Sequence, residues 1–352
     1  MAGRRRFLGL TAAALAAPMV VRAQPLLDVE VAVIGAGAAG IAAARQLIAW
    51  EYDVVLLEAR ERVGGRAWTD GGSLGLAWDR GAQWLHNGRA NPLRVEARAL
   101  GLALTDSDYD DMQVTRGTDG ADDGARDALF GALEALDARM ERAARTARPG
   151  ATLAEIATGD SWDRAALQLS AVSMGGDPDE VSLMDTMLLE SGDDVLVAGG
   201  TGGLLRGLAH GLPVSLGHAV TTIDLRPADH VVISGPFGTL RAGVALVTLP
   251  PAVLASGAVR FTPGLPDRKR DALAALGPAE FVKVGLRLPA ALPDAAEFAV
   301  DLAAFERGQA ALLHIDPRLP VASVIFAGRH AAALRHEGRR AVAEAARAVL
   351  RH

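Results

Sequence analysis

The stretch VEVAVIGAGAAGIAAARQLIAWEYDVVLLEARERVGGR, residues 29–66, decides the fold of this chain. An apolar run typical of a buried strand leads into Gly35, Gly37 and Gly40, and an alanine-rich helix and a second apolar run follow. Gly35 allows a tight turn, Gly37 lets the backbone approach a pyrophosphate, and Gly40 permits close packing of helix and strand. Because a helix N-terminus stabilises phosphate, this order predicts a Rossmann-like dinucleotide-binding unit.

The residues after the second apolar run indicate which dinucleotide binds. Glu58 ends that run, where an acid accepts hydrogen bonds from a ribose diol. Arg60, Gly65 and Arg66 then belong to a second glycine turn, which a domain for nicotinamide cofactors does not need. For the first glycine turn, a purely structural role is the alternative to dinucleotide binding. A second turn with arginines suits an FAD molecule extended across the domain, with Arg66 near its phosphates.

With these motifs the chain resembles the flavin-containing amine oxidase family, which includes monoamine and polyamine oxidases and L-amino-acid oxidases. The stretch DRGAQWLHN, residues 79–87, is similar to a motif of that family. The resemblance implies that the residues lining the flavin ring are Gly81, Ala82, Gln83 and Trp84. It also implies that His86 lies on the substrate side. Two plainer interpretations stay open, in which Trp84 is a core aromatic residue and His86 a surface-loop histidine.

Two later stretches extend the resemblance. Residues 196–209, LVAGGTGGLLRGLA, resemble the glycine turn that returns the chain to the cofactor domain in the family. Soon afterwards, the resemblance places Val220 where the family's backbone contacts adenine. Residues 245–288 then follow the family pattern almost continuously. The cofactor implied is noncovalent FAD.

The segment EFVKVGLRL, residues 280–288, carries one of two lysines in a chain that otherwise uses arginine. Its alternation predicts a strand with Lys283 facing the same side as Phe281 and Gly285. A lysine amine binds a single water and changes its pKa readily on burial, which a guanidinium does not. The resemblance implies that Lys283 holds a water against flavin N5, and a strand-edge lysine extending to solvent is the alternative. Lys269, in DRKRD, is predicted to be a solvated charge on a helix.

Composition excludes several classes of protein. The chain has 352 residues, 50% hydrophobic and 22% charged, which is typical of a folded α/β enzyme. The net charge of −6 makes nucleic acid an unsuitable partner, since four arginines of the first 23 residues already offset part of the acidity. The absence of cysteine excludes disulfides, thiolate metal sites and cysteine-linked cofactors, and no metal site is predicted.

The first 23 residues, MAGRRRFLGLTAAALAAPMVVRA, predict a cleavable export signal of the twin-arginine type. A Sec signal or a membrane anchor is the alternative. Twin-arginine export carries folded proteins, so this interpretation favours a periplasmic or exported protein with its cofactor in place. No later segment is apolar enough to suggest a membrane span.

The chain is predicted to divide into interleaved domains of an α/β fold. Residues 28–95 and 196–288 form the predicted FAD-binding domain, and residues 96–195 and 289–352 form an α+β substrate domain. In the first part of the substrate domain, the apolar residues of one helix stripe are Leu129, Leu133, Leu136 and Met140.

The end of the chain departs from the family pattern. Phe326-Ala327-Gly328 resembles the start of the family's terminal flavin motif but lacks its acid. It is either a degraded motif or a similar piece of the substrate domain, and its short distance from Lys283 favours the second. On that reading the final flavin-binding segment is missing.

The predicted activity is FAD-dependent oxidation of a small primary or secondary amine such as a polyamine, a monoamine or an amino acid. A hydride passes to flavin N5, giving an imine, and O2 or another acceptor takes the electrons, O2 leaving as H2O2. A truncated, noncatalytic flavin-fold protein and a related flavin desaturase are the alternatives.

Overall fold

The computed structural model describes residues 27–107, 109–117, 120, 123–189, 192–277 and 279–351. Within these residues the strands are, in chain order, β1 (Leu27–Ile34), β2 (Val54–Leu57), β3 (Thr69–Asp70), β4 (Trp78–Asp79), β5 (Trp84–Leu85), β6 (Leu104–Asp106), β7 (Gln113–Thr115), β8 (Val195–Val197), β9 (Val214–Ser215), β10 (Thr222–Asp224), β11 (Val231–Gly235), β12 (Gly238–Val247), β13 (Arg260–Thr262), β14 (Phe281–Arg287), β15 (Phe298–Asp301), β16 (Ala311–Ile315) and β17 (Val321–Ala327).

The helices of the same residues are, in chain order, α1 (Ala38–Ala49), α2 (Pro92–Ala99), α3 (Asp123–Ala144), α4 (Ser161–Met174), α5 (Leu183–Leu188), α6 (Thr201–Leu208), α7 (Pro251–Ala255), α8 (Asp267–Ala275), α9 (Leu302–Glu306), α10 (Gly328–Glu337) and α11 (Arg339–Val349), with a 3-10 turn at Leu153–Ile156. None of these helices is both long and apolar enough to cross a bilayer. The predicted export signal lies outside the described residues and stays a prediction.

The larger sheet contains the predicted dinucleotide-binding unit. Its strand order is β13-β10-β11-β12-β1-β2-β9, and β12, β1, β2 and β9 run parallel. Alternate residues of β1 point to opposite faces, so that Val31 and Val33 pack with α1 and α6, while Ala32 and Ile34 pack on the other side. A parallel sheet covered on both faces needs such apolar strands. The predicted α/β class is therefore confirmed.

The second sheet is mainly antiparallel, in the order β14-β17-β16-β15-β7. β17, which lies between β14 and β16, is buried along its whole length. One face packs against α10 and α11, and residues at the opposite side join the core of α3 and α4. The residues of the predicted helix stripe all join that core, as Leu129, Leu133, Leu136 and Met140.

The end of the predicted FAD-binding range belongs to the second sheet by its strand pairing. β14, which carries Lys283, was assigned to the FAD-binding range, but it pairs with β17 in the second sheet. The Phe326-Ala327-Gly328 segment ends that partner strand and begins α10, within the second sheet's own layer. Pairing thus favours a piece of the substrate domain over a degraded flavin motif, while the division into domains as a whole stays a prediction.

Candidate functional site

The first glycine turn has the geometry that its sequence predicts. Gly35 has φ of 104°, in the region that favours glycine. A Cβ on Gly40 would lie 1.9 Å from the carbonyl oxygen of Gly35, so the helix approaches the strand closely because residue 40 has no side chain. Gly37 is the N-cap of α1, and no side chain caps that helix. The first N–H groups of α1 are therefore not taken up by a capping side chain.

The second glycine turn lies against the first. The N–H of Gly64 donates to the carbonyl of Ala36 at 2.8 Å, and a Cβ on Gly65 would lie 3.2 Å from the Cα of Gly37. Two backbone segments without side chains thus form a cradle that fits the pyrophosphate of a dinucleotide. The N–H groups and the missing Cβ atoms are the features that an extended FAD requires.

The arginines near this cradle have different surroundings. Arg60 and Arg66 are exposed, and the predicted role of Arg60 in cofactor binding and of Arg66 near the phosphates stays a prediction. Arg62, which the sequence did not single out, donates to the carbonyl of Gly65 at 3.0 Å and lies 4.7 Å from the centre of the Trp68 ring. Arg62 therefore holds the second turn in place.

Glu58 is buried at the end of β2, as predicted. Its two carboxylate oxygens accept the N–H groups of Ala36 at 2.9 Å and Arg60 at 3.0 Å. These bonds fix the carboxylate beside the first turn and leave lone pairs for a ribose diol. Val220 is also buried, in the core on the other face of the sheet with Ile34, and its predicted contact with adenine is not tested by these packing contacts.

The GAQW stretch connects this cradle to the second sheet. A Cβ on Gly81 would lie 1.8 Å from the carbonyl oxygen of Arg66, and the N–H of Ala82 donates to that oxygen at 3.2 Å. Gln83 is buried and Trp84 is half-buried. The four residues predicted to line the flavin therefore begin at the second glycine turn and extend toward the second sheet.

Lys283 lies on β14 of the second sheet, where it contacts the GAQW stretch. Its Nζ donates to the carbonyl of Gly81 at 3.2 Å and lies 5.5 Å from the centre of the Trp84 ring. Burial lowers the pKa of this amine from 10.5 to about 8, although the negative charge of Asp79 partly opposes the shift. Lys283 is half-buried, and these contacts direct its amine toward Gly81 and Trp84, whereas Lys269 is exposed on α8, as predicted.

Asp79 is a site residue that the sequence analysis missed. This buried carboxylate accepts hydrogen bonds from the Thr69 hydroxyl and from the N–H of Thr201 at 3.1 Å, at the start of α6. Burial raises the pKa of Asp79, and these hydrogen bonds and the charge of Lys283 oppose that rise. Asp79 and Gln83 also line a cavity of about 150 Å³ that reaches Ser323 of β17.

His86 belongs to a second group of polar residues. Its Nδ1 donates to Asp194 at 2.9 Å, and the hydroxyl of Tyr109 donates to the same carboxylate oxygen at 2.9 Å. The hydrogen bond to Asp194 raises the pKa of His86, whose side chain is 70% exposed. Tyr109 stacks on Phe298 with ring centres 4.0 Å apart, and Phe298 contacts Trp84. A histidine, an acid and aromatic rings thus lie beside Trp84.

The structure brings several of the predicted site residues together. Lys283 contacts both Gly81 and Trp84, and His86 lies beside the Trp84 ring at 6.3 Å between centres. The residues that sequence reasoning missed are Arg62, Asp79, Tyr109, Asp194, Glu297, Phe298 and His314. Asp194 directly precedes a strand that leads into a glycine turn, which was the available signal. Among the described residues, no group of three or more histidines and acids is arranged to hold a metal ion.

Comparison with known proteins gives one family. Residues 38–326 match the family model described as flavin containing amine oxidoreductase. The chain is 33% identical over 301 residues to "Lysine-specific histone demethylase 1 homolog 3" of Oryza sativa subsp. indica, covering 76% of this chain and 36% of that protein. It is 30% identical over 292 residues to "Lysine-specific histone demethylase 2" of Homo sapiens, covering 74% and 34%. The chain thus spans about a third of the length of these curated relatives.

Solved structures share the fold at lower identity. A putrescine oxidase bound to putrescine has a TM-score of 0.71 and 18% identity, covering 88% of this chain and 78% of that chain. Cyclohexylamine oxidase from Brevibacterium oxydans IH-35A has a TM-score of 0.71 and 23% identity, covering 92% and 80%. At these identities the likeness concerns the fold.

Proposed function

The chain belongs to the flavin-containing amine oxidoreductase family, and from this premise we propose that it oxidises a small primary or secondary amine. FAD is the cofactor, which we propose to be noncovalent; it supplies N5 as hydride acceptor and passes the electrons to oxygen, giving H2O2, or to another acceptor. The amine becomes an imine, which water hydrolyses. In this scheme the protein binds and orients the amine and the cofactor and excludes water from the site.

The observation that carries the proposal is the position of Lys283. Its amine lies between the Gly81 carbonyl and the face of Trp84, two residues that the resemblance assigns to the flavin surface. With a pKa of about 8, the amine exists in both protonation states near neutral pH. Such a group can hold a water molecule and exchange a proton with it. We assign that role to Lys283.

The group of His86, Asp194 and Tyr109 supports an amine as substrate. Because Asp194 accepts the Nδ1 proton of His86, the neutral ring presents Nε2 as an acceptor. Loss of hydride from the α-carbon requires the lone pair of a neutral amine. An acceptor beside aromatic rings can take a proton from an incoming ammonium ion and orient the amine that results.

The decisive experiment uses the two lysines of the chain as a matched pair. Purified wild type, Lys283→Met and Lys269→Met are loaded with FAD, and bleaching of the flavin by a panel of amines is followed anaerobically. We expect wild type and Lys269→Met to be reduced at the same rate. We expect Lys283→Met to bind FAD but to be reduced or reoxidised at least roughly tenfold more slowly.

Two results would contradict this proposal. A protein that binds FAD but is bleached by no amine would favour the noncatalytic alternative. Equal reduction and reoxidation rates in Lys283→Met and wild type would remove Lys283 from the mechanism.

The names of the curated relatives favour one further candidate within the same chemistry. Proteins that are 33% and 30% identical to this chain are named lysine-specific histone demethylases. A monomethylated lysine side chain is a secondary amine, so a monomethyl-lysine peptide belongs in the panel. Formaldehyde release from that peptide, with no bleaching by small amines, would replace the small-amine proposal.

We also propose export to the periplasm, which a signal-cleavage assay of residues 1–23 would test.

A further inference from the structure

Gln83 and Trp84 are neighbours in the chain, and a buried hydrogen-bonded path joins their side chains through three other residues. The Nε2 of Gln83 lies 2.9 Å from Nδ1 of His314, and Nε2 of His314 lies 3.0 Å from Oε1 of Glu297. The Ser107 hydroxyl donates to the same Oε1 at 2.6 Å and accepts the indole N–H of Trp84 at 3.0 Å. We call these five residues the Gln83–Trp84 network.

The members of this network come from separate parts of the fold. Glu297 immediately precedes β15 and His314 lies on β16, both in the second sheet, while Ser107 directly follows β6. Gln83 and Trp84 belong to the stretch that begins at the second glycine turn. The network therefore fixes the position of this stretch relative to the second sheet, which also carries Lys283.

Stability alone does not account for these groups. His314 is 0% exposed and Glu297 is 5% exposed. The His314 ring contacts the rings of Trp84 and Phe298, and Glu297 directly precedes Phe298 in the chain. Burying a carboxylate and an imidazole is costly, and apolar residues of similar volume at such positions are often as stable or more stable. A role in holding neighbouring side chains explains their presence better.

The hydrogen bonds determine how the Gln83 amide is turned. Nε2 of His314 faces a carboxylate oxygen and Nδ1 faces the Nε2 of Gln83, so the ring donates to Glu297 through Nε2 and accepts at Nδ1. Gln83 must then donate through its Nε2, which turns Oε1 away from His314. Among the described residues that buried oxygen has no hydrogen-bond partner, and Gln83 lines the cavity beside Asp79. Glu297 thus determines, through His314, that Gln83 presents an acceptor.

The other end of the network fixes the Trp84 ring. The indole N–H of Trp84 donates to the Ser107 hydroxyl. The Trp84 and His314 rings make an edge contact, with their centres 5.0 Å apart and their planes at 84°. One bond in the plane of the ring and one edge contact leave little freedom for rotation. Lys283 Nζ lies 5.5 Å from the centre of that ring, so movement of the indole changes the surroundings of the amine.

We propose that Glu297 and His314 are positioning residues, whose buried network fixes the Gln83 amide and the Trp84 indole beside the Lys283 amine. This inference rests on the proposed function, because it assigns the two residues to the same amine-oxidising site. They act through Gln83 and Trp84 and do not themselves enter the reaction.

The test compares three changes in the FAD-loaded protein with one control. Glu297→Ala removes the shared acceptor, Ser107→Ala cuts the Trp84 end, and Glu297→Gln keeps an oxygen that can accept both bonds. Glu344→Ala, on the exposed face of α11, is the matched control. Each protein is labelled with 5-fluorotryptophan, and Trp84→Phe identifies the fluorine resonance of Trp84 among the five tryptophans.

We expect Glu297→Ala and Ser107→Ala to shift or broaden the Trp84 resonance, with Glu344→Ala unchanged. The rate constant for anaerobic flavin reduction at saturating amine should fall roughly ten- to a hundredfold in Glu297→Ala, because small displacements of a positioned group cost rate. The amine concentration for half-saturation should change less. Glu297→Gln should recover most of the rate.

Three results would overturn the inference: an unchanged Trp84 resonance in both alanine variants, an unchanged reduction rate in Glu297→Ala, or equal loss in Glu297→Gln and Glu297→Ala. If Glu297→Ala fails to fold, Ser107→Ala carries the same test from the half-buried end of the network. If no amine reduces the wild type, the proposed function fails. The fluorine spectra still decide whether the network positions Trp84.

Discussion

The buried amine of Lys283 makes the stability of the protein depend on pH in a defined way. Burial lowers the pKa of Lys283 from 10.5 to about 8, so between these values the unfolded chain binds more protons than the folded one. The destabilising contribution of the buried ammonium is therefore fully present below pH 8 and is lost as the pH rises toward 10.5. At about 1.4 kcal/mol per pH unit, it amounts to roughly 3 kcal/mol at pH 7 and under about 1 kcal/mol at pH 10.

Lys283→Met removes that contribution while keeping a long unbranched side chain. The free energy of unfolding of the variant minus that of wild type should fall by about 2.5 kcal/mol between pH 7 and pH 10. The measurement is chemical denaturation of both proteins at the two pH values and one FAD concentration. Lys269→Met, which removes the exposed lysine of α8, should show a much smaller change with pH.

Nuclear magnetic resonance tests the same reasoning without unfolding. Selective 13C labelling of lysine gives two side-chain signals, because the chain has two lysines, and Lys269→Met assigns them. The Lys283 signal should titrate near pH 8. Titration near 10.5, together with a stability difference that does not vary with pH, would refute the burial of this amine.

Two further predictions concern the glycine turn and the histidine. Gly40→Ala should destabilise the protein by about 1–3 kcal/mol or more and lower the FAD content after purification, since its Cβ would lie 1.9 Å from the oxygen of Gly35. Gly131→Ala, in open space on α3, should instead leave FAD content unchanged and raise stability by up to about 1 kcal/mol. Asp194→Asn should lower the pKa of His86 measured by proton resonance, because the hydrogen bond to Asp194 is the main cause of its raised value; an unchanged pKa would contradict the contact.

Local chain geometry accounts for what the sequence predicts well. The second apolar run forms β2, from Val54 to Leu57, and Glu58 follows it as a buried acid. The turn at Gly35 and the close approach at Gly40 depend on residues a few positions apart, so their roles follow from spacing. The two faces of β14 were also predictable, since Lys283 and Gly285 face the loop side while their neighbours pack on α10 and α11.

Partners that are distant in the chain could not be found in this way. Gln83 meets His314 across 231 positions, and Ser107 meets Glu297 across 190. Tyr109 lies among acidic residues in the sequence, but its ring stacks on Phe298 and its hydroxyl donates to Asp194. The contacts of Gln83 with His314, Ser107 with Glu297 and Tyr109 with Phe298 depend on how the second sheet meets the β5-β8-β6 sheet, which no local pattern encodes.

The surroundings of β14 show how a contact between distant parts of the chain determines the environment of Lys283. It is an edge strand, and lysine on an edge commonly extends into water and discourages pairing. Here residues 74–81, which precede Trp84 and which we call the covering loop, contact one face of β14 at three alternate positions. Lys283 donates to Gly81, the absence of a Cβ on Gly285 admits the Trp78 ring, and Arg287 donates to the carbonyl of Leu74 at 2.6 Å.

The covering loop and the strand therefore depend on each other. A Cβ on Gly285 would lie 2.7 Å from the Trp78 ring, so even alanine there would push the loop away from the strand. The Gly81 carbonyl, which accepts a hydrogen bond from the Lys283 amine, would move with the loop. Part of the surface that excludes water from that amine would move as well. The lowered pKa of Lys283 is thus a property of the whole contact between strand and loop, and the lysine alone does not carry it.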